Sequence, residues 1–237
     1  GDSEGLDEDC DGVAAPCRPS GELTALSTTE FPSTSDKYNQ CYGDSLAFAG
    51  DLNEDGFDDI VVGSPGGGID PSSDGGMVII RYGSPDGTLT DNSTIIGSTG
   101  PSDELIDGDW LGHTVMGPGD ITGDGIPDLV VSAPQANRAD WDESDGDEPY
   151  GMVYLFEGPI ASFSHGSLEA DLLSPLITLQ PASPDWFSQP DFEFGRGLAS
   201  LDVNGDDITD VLISSLNGGH TTQLELSIYL LQGPLIS

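Results

Sequence analysis

Apolar residues fall in short runs along this chain, and none forms a long stripe at helical spacing. Ile60-Val61-Val62, Met77-Val78-Ile79-Ile80, Leu129-Val130-Val131, Met152-Val153-Tyr154-Leu155-Phe156, Val211-Leu212-Ile213 and Ile228-Tyr229-Leu230-Leu231 are rich in β-branched and aromatic residues. Gly, Pro, Asn or Asp bounds each run, which predicts short strands joined by turns. The runs recur in units. The first unit opens with Tyr42-Gly43-Asp44-Ser45-Leu46-Ala47, the second with Leu111-Gly112-His113-Thr114-Val115, and the third with Phe194-Gly195-Arg196-Gly197-Leu198-Ala199. Each opening leads through an acidic loop to an apolar run, then to a Gly-rich connection and a second run. Self-similarity of this kind is the mark of a repeat architecture.

The acidic loops carry the candidate chemistry. The first reads Asp51-Leu52-Asn53-Glu54-Asp55-Gly56-Phe57-Asp58-Asp59. Oxygen-bearing Asp51, Asn53, Asp55 and Asp59 occupy loop positions 1, 3, 5 and 9, Phe57 holds position 7, and Gly56 permits a sharp turn at position 6. The second loop repeats this with Asp120, Thr122, Asp124, Ile126 and Asp128, and the third with Asp202, Asn204, Asp206, Ile208 and Asp210. A hard cation such as Ca²⁺ takes six to eight oxygens, and a tight turn rich in carboxylates supplies them. The loops are therefore expected to hold about three Ca²⁺ ions. Position 12 is Val62, Val131 or Ile213, where an EF-hand needs a bidentate Glu. Here the metal would clamp a turn between two strands. Asp207 stands where the other loops have glycine, so a left-handed backbone and weaker binding are expected there.

Two segments, Ser93–Gly97 and Leu176–Gln180, are expected to add a fourth, outer strand to the first and second units. The third unit ends at Leu235-Ile236-Ser237, too short for its own, while residues 21–31 resemble an outer strand without inner partners. The expected units span 42–97, 111–181 and 194–237.

Charge changes the picture of partners. Five basic residues face 43 acidic ones, a formal charge of −38. A surface this negative repels nucleic acid and anionic membranes, and no apolar run reaches the roughly 18–20 residues of a membrane helix. Residues 1–20 are denser still in acid and read as a linker. They resemble the end of an Asp/Cys-rich bacterial metal-binding repeat, with Asp7, Asp9 and Asp11 alternating but Ser3 in place of its first Cys. Cys10, Cys17 and Cys41 lack the spacing of a zinc site. One disulfide and one remaining thiol are expected, with Cys10–Cys17 the easier closure. Weak Ca²⁺ loops and a disulfide together point outside the cytoplasm.

Catalytic constellations are not evident: no nucleophile elbow, zinc-protease helix or phosphate loop occurs. His113 occupies a repeat-opening position held elsewhere by Asp44 and Arg196, and His165 and His220 have no spaced partners. The cluster from Asp140 to Glu148 reads as a solvated loop, with a further cation or a basic partner as the alternative.

Phe194-Gly195, the Asp-x-Asn-x-Asp loops and the Val-Gly-Ser-Pro ending at Pro65 together resemble FG-GAP repeats, the blades of the propeller in integrin alpha subunits. Tyr42 and Leu111 depart from the usual Phe. The resemblance implies an all-β fold of four-stranded antiparallel blades, with Ca²⁺ loops on one face and long connections on the other. Those connections carry Trp110, Trp141, Tyr150, Trp186 and Phe187, which either seal blade edges or contact a ligand. Three motifs are fewer than the four to eight blades of a closed propeller, so closure needs further blades or another chain. The expected function is a secreted or cell-surface calcium-binding module for adhesion or for binding protein or glycan, without catalysis. Self-assembly through shared blades and service as an accessory to a secreted enzyme are the alternatives.

Overall fold

An acidic turn between two apolar runs brings the second run back antiparallel to the strand before the turn. The computed structural model, which describes residues 42–66, 75–89, 93–97, 109–136, 151–160, 176–180, 192–217 and 225–235, shows this three times. The acidic linker, all three cysteines, residues 21–31, Trp141, Tyr150, Trp186, Phe187, His165, His220 and the cluster from Asp140 to Glu148 lie outside the described residues. The first sheet contains β1 (Ser45–Gly50), β2 (Asp59–Ser64), β3 (Met77–Arg81) and β4 (Ser93–Gly97). The second contains β5 (Val115–Gly119), β6 (Asp128–Ala133), β7 (Met152–Phe156) and β8 (Ile177–Leu179). The third contains β9 (Phe192–Leu201), β10 (Asp210–Asn217) and β11 (Glu225–Leu231).

Each sheet is an antiparallel meander in chain order. In the three second strands, Val61 pairs with Ala47 and Ile80, Val130 with Met116 and Leu155, and Leu212 with Ala199 and Leu230. The all-β expectation of four-stranded antiparallel units holds for the first two sheets, and the third has three strands among the described residues. No helix among them is long and apolar enough to cross a membrane.

Two cores form between successive sheets. Val61, Val78 and Ile80 of the first sheet meet Val115, Leu129 and Val131 of the second. Val130, Val153 and Leu155, from the second sheet's other face, meet Phe194, Val211 and Ile213 of the third. Successive strand residues point to opposite faces, so a sheet covered on both sides needs an unbroken apolar strand. β6 is buried at every position for that reason. The end sheets have one face each without a neighbour among the described residues. There Phe48 of β1 is 84% exposed and Ile228 of β11 is 66% exposed.

Short segments after β7 and β11 hook each sheet to the acidic loop of the one before. Ile160 donates its N–H to the Leu52 carbonyl at 2.6 Å, and Leu235 donates to the Ile121 carbonyl at 3.1 Å. The Tyr82 hydroxyl closes the first joint by donating to the Ile160 carbonyl at 3.0 Å. At the corresponding place after β3, two residues past Gly83, stands Pro85, which has no N–H to donate.

Truncation should separate covered faces from open ones. Ile80→Ala and Leu155→Ala are each expected to cost about 2–5 kcal/mol, whereas Phe48→Ser and Ile228→Ser should stay within about 0.5 kcal/mol. Denaturant unfolding of the four variants measures the difference.

Candidate metal centre

The first acid of each loop folds the turn around itself. Asp51 accepts the N–H of Asp55 at 2.9 Å on one oxygen and that of Gly56 at 2.8 Å on the other. Asp120 does the same with Asp124 (3.1 Å) and Gly125 (2.7 Å), and Asp202 with Asp206 (3.2 Å) and Asp207 (3.0 Å). The fifth-position acid then accepts the N–H of position 7: Asp55 from Phe57, Asp124 from Ile126, Asp206 from Ile208. Asn53 and Asn204 each bridge to position 5, accepting from its N–H and donating to its carboxylate. Three loops with different fillers thus share the wiring of positions 1, 5, 6 and 7, while Thr122 turns instead to Asp120 at 3.4 Å. Aspartate is favoured here because its short side chain reaches backbone amides two to five residues on.

Two positions in each loop take left-handed backbone. Position 6 was legible: Gly56 has φ 91°, Gly125 φ 94°, and Asp207 adopts φ 67° in the third loop. Position 4 was not: Gly123 and Gly205 suit their φ of 89° and 79°, but Glu54 is held at φ 59°. A side chain in this region costs roughly 1–2 kcal/mol, so the first and third loops each carry one strained residue that the second lacks.

The ninth-position acids behave differently from the rest. Asp59, Asp128 and Asp210 are fully buried at the start of the second strands, although sequence spacing alone groups them with exposed ligands. Each accepts one N–H from position 2 of its own loop: Leu52, Ile121 and Val203, all at 2.9 Å. The other oxygen accepts from a glycine beyond the third strand: Gly83 at 3.0 Å, and Gly158 and Gly233 at 3.1 Å. Those glycines are needed for close approach. A Cβ on Gly83 would come within 2.4 Å of the Asp58 carbonyl oxygen, and one on Gly158 within 2.5 Å of that of Pro127.

Burial pushes the Asp59 carboxyl up to about 6 against the pull of the Gly83 and Leu52 amides, and the nearby Asp55 and Asp51 charges add to the rise. Asp128 is also raised, chiefly by burial and against its own amide donors.

Among the described residues, no three Asp, Glu, His or Cys side chains are gathered as a ready metal cluster. The carboxylates are spread along the turn by their bonds to loop amides, and the ninth is drawn to the buried side. The donor set nonetheless suits a hard cation. Each loop offers three carboxylates, an amide or hydroxyl oxygen at position 3, and the position-7 main chain, with no sulfur or imidazole. Oxygen donors of this kind fit Ca²⁺ and not zinc.

The opposite ends of the first strands bring other groups together. Trp110, partly exposed, lies parallel to the His113 ring with centroids 6.1 Å apart. Burial, helped by the Arg196 charge, lowers the His113 pKa. Arg196 donates to the Glu193 carboxylate, and Gln135 reaches the same side chain at 3.5 Å.

A carboxyl that holds its proton more tightly when folded stabilises the fold at low pH, and that stability is lost as pH rises toward its folded pKa. Without divalent cation, the melting temperature is therefore expected to fall between about pH 4 and pH 6, the range from the free carboxyl value to that of Asp59. Asp59→Asn should flatten that slope while costing about 1–3 kcal/mol, because an amide cannot accept both N–H groups. Melting curves across the range in chelator measure both effects.

The FG-GAP repeat model matches residues 42–80 and 114–156, spans that contain the first two loops. The third loop, outside both spans, has the same wiring. The chain is 36% identical to chicken (Gallus gallus) integrin alpha-8 over 98 residues, 41% of this chain and 9% of that protein. It is 35% identical to human integrin alpha-IIb over 136 residues, 57% of this chain and 11% of that protein. It is 29% identical over 189 residues, 76% of this chain, to the phosphatidylinositol-glycan-specific phospholipase D of Dictyostelium discoideum, of which it spans 18%. The chain thus corresponds to a small part of each relative. Residues 42–80 and 114–156 carry FG-GAP repeats similar to those of integrin alpha chains, and these repeats together with the antiparallel sheets imply β-propeller blades.

Proposed function

We propose that this chain is a calcium-stabilised propeller module, secreted or displayed at the cell surface, that acts in adhesion by binding a protein or a glycan. The supporting observation is the common wiring of three loops that share a hard-oxygen donor set. Asp51, Asn53, Asp55, Phe57 and Asp59 would hold one ion. Asp120, Thr122, Asp124, Ile126 and Asp128 would hold a second, and Asp202, Asn204, Asp206, Ile208 and Asp210 a third. Bound Ca²⁺ would supply charge neutralisation and no chemistry: mutual repulsion of the loop carboxylates opposes folding, and a divalent ion removes it. The ligand would approach the face opposite the loops, where Trp110, His113, Glu193 and Arg196 lie near one another. Residues on rigidly held connections are common recognition surfaces.

A second reading, assembly of copies through shared blades, is favoured by the open apolar faces. Leu46 and Phe48 lie exposed on the first blade, and Ile228 and Leu230 on the third. Uncovered sheet surface of this kind invites further packing. The third reading, an accessory propeller of an enzyme, draws on the Dictyostelium relative alone.

Calorimetric titration is expected to count about three weak Ca²⁺ sites, with dissociation constants of about 10⁻⁴–10⁻³ M. Asp55→Ala, Asp124→Ala and Asp206→Ala should each remove one. At roughly ten times the dissociation constant each ion adds about 1.4 kcal/mol, so chelation should lower the melting temperature. Identical melting with and without chelator would refute the structural role. Glycan and protein arrays, read with and without chelator, test the ligand class.

A further inference from the structure

We infer that the joints between blades set the calcium affinity of the loops they touch, so that the first two loops bind more tightly than the third. This rests on the reading that the loops hold Ca²⁺. The residue at loop position 2 lies between two ligand positions, and in the first two loops its peptide groups are fixed from both sides. Leu52 gives its N–H to buried Asp59, and its carbonyl accepts the N–H of Ile160 from the next blade. Ile121 gives its N–H to Asp128, and its carbonyl accepts from Leu235. Both side chains are 0% exposed. The second hook also seats its ring on the loop, since a Cβ on Gly123 would lie 3.1 Å from Cβ of Pro234.

The third loop has the inner half of this arrangement and, among the described residues, lacks the outer half. Val203 donates to Asp210 as its counterparts do, but it is 49% exposed, and no described hook reaches it. Ordering one residue's backbone costs roughly 1–2 kcal/mol. A loop already held at position 2 keeps Asp51 and Asn53, or Asp120 and Thr122, aimed before the ion arrives. The third loop must order that peptide on binding. Coupling of this kind is reciprocal: calcium in the first loop tightens docking of the second blade, and calcium in the second loop tightens docking of the third. Pro85 marks the limit of the device. A first blade laid on the third blade of another copy could cover the apolar face, but Pro85 could not supply the missing N–H.

The test uses the full chain with two loops silenced at a time by Asp→Ala at position 5, and Ca²⁺ titrated into the remaining loop by calorimetry. The third loop is expected to bind about fivefold or more weakly than either other, the lower end of ordinary coupling strengths. Ile160→Pro, which removes the donated N–H, should weaken the first loop by a similar factor and spare the second. Leu235→Pro should weaken the second and spare the first. Ile160→Ala and Leu235→Ala, which keep the N–H, should weaken them less. If Ile160→Pro and Leu235→Pro lower the melting temperature while every affinity stays put, the joints are merely structural and the inference fails. It also fails if Asp207→Gly alone brings the third loop level with the others, because backbone strain then accounts for the deficit. Should none of the loops take up calcium, the functional reading falls and this inference with it. Equal affinities unmoved by the hook variants sink the inference alone.

Discussion

A buried aspartate at the start of each second strand ties the whole repeat together. An ionised carboxylate away from water is costly unless its oxygens are satisfied, and here each oxygen meets a backbone N–H. One donor comes from the loop just before the strand, and the other from the glycine that ends the third strand, 23 to 30 residues on. The side chain thus fixes the loop, the second strand and the exit of the third against one another. Aspartate is the right length for two such short bonds, and neither Asn nor Ser offers two acceptor oxygens. The raised pKa values of Asp59 and Asp128 record the cost of burial that the amide donors only partly offset.

From that tie follow the glycines and the hooks. Because the carboxylate draws the chain after the third strand down onto the loop, a Cβ at Gly83 or Gly158 would run into a backbone oxygen, and one at Gly233 would meet the Ile208 side chain at 2.6 Å. The two residues after Gly158 and Gly233 are then delivered to the neighbouring blade's loop. The contact that closes one blade therefore aims the segment that fastens it to the previous blade. The array propagates through backbone geometry as much as through the apolar cores between sheets. The one interruption, Pro85, falls on the blade whose outer face has no neighbour among the described residues.

Much of this was legible in the sequence, and the remainder was hidden for definite reasons. Alternation of Asp around a turn glycine, followed by Val and Ile, is a local signal and gave the loops and the second strands. The run Leu129-Val130-Val131 read as a strand, and its burial on both faces emerged only from the sheets packed on either side of β6. Left-handed Glu54 was invisible because the demand on position 4 comes from the turn's hydrogen bonds, and glutamate carries no mark of it. Asp59 reads as an exposed ligand like Asp51, since burial depends on a third strand that spacing cannot place. Gly158-Pro159 and Gly233-Pro234 read as strand endings, because their partners, Leu52 and Ile121, belong to a different repeat. Trp110 stands apart: its place on a connection was clear, its stack on His113 was not.

The loops also show how one set of atoms serves a turn and, on the calcium reading, a metal. Asp51 accepts one backbone amide on each oxygen, whereas Asp120 and Asp202 each accept two on one oxygen and one on the other. An oxygen that accepts one amide keeps a second lone pair. The amide bonds shape the turn, and the lone pairs they leave free would remain for a cation. Small zinc domains differ, because their fold awaits the ion. Here strand pairing, buried aspartates and inter-blade cores already define the blade, so a cation would act on electrostatic repulsion and loop order. That division of labour explains why loops with Asn, Thr, Gly, Glu or Asp at variable positions keep one backbone path. The path is written in the amides, and the ligand set can vary around it.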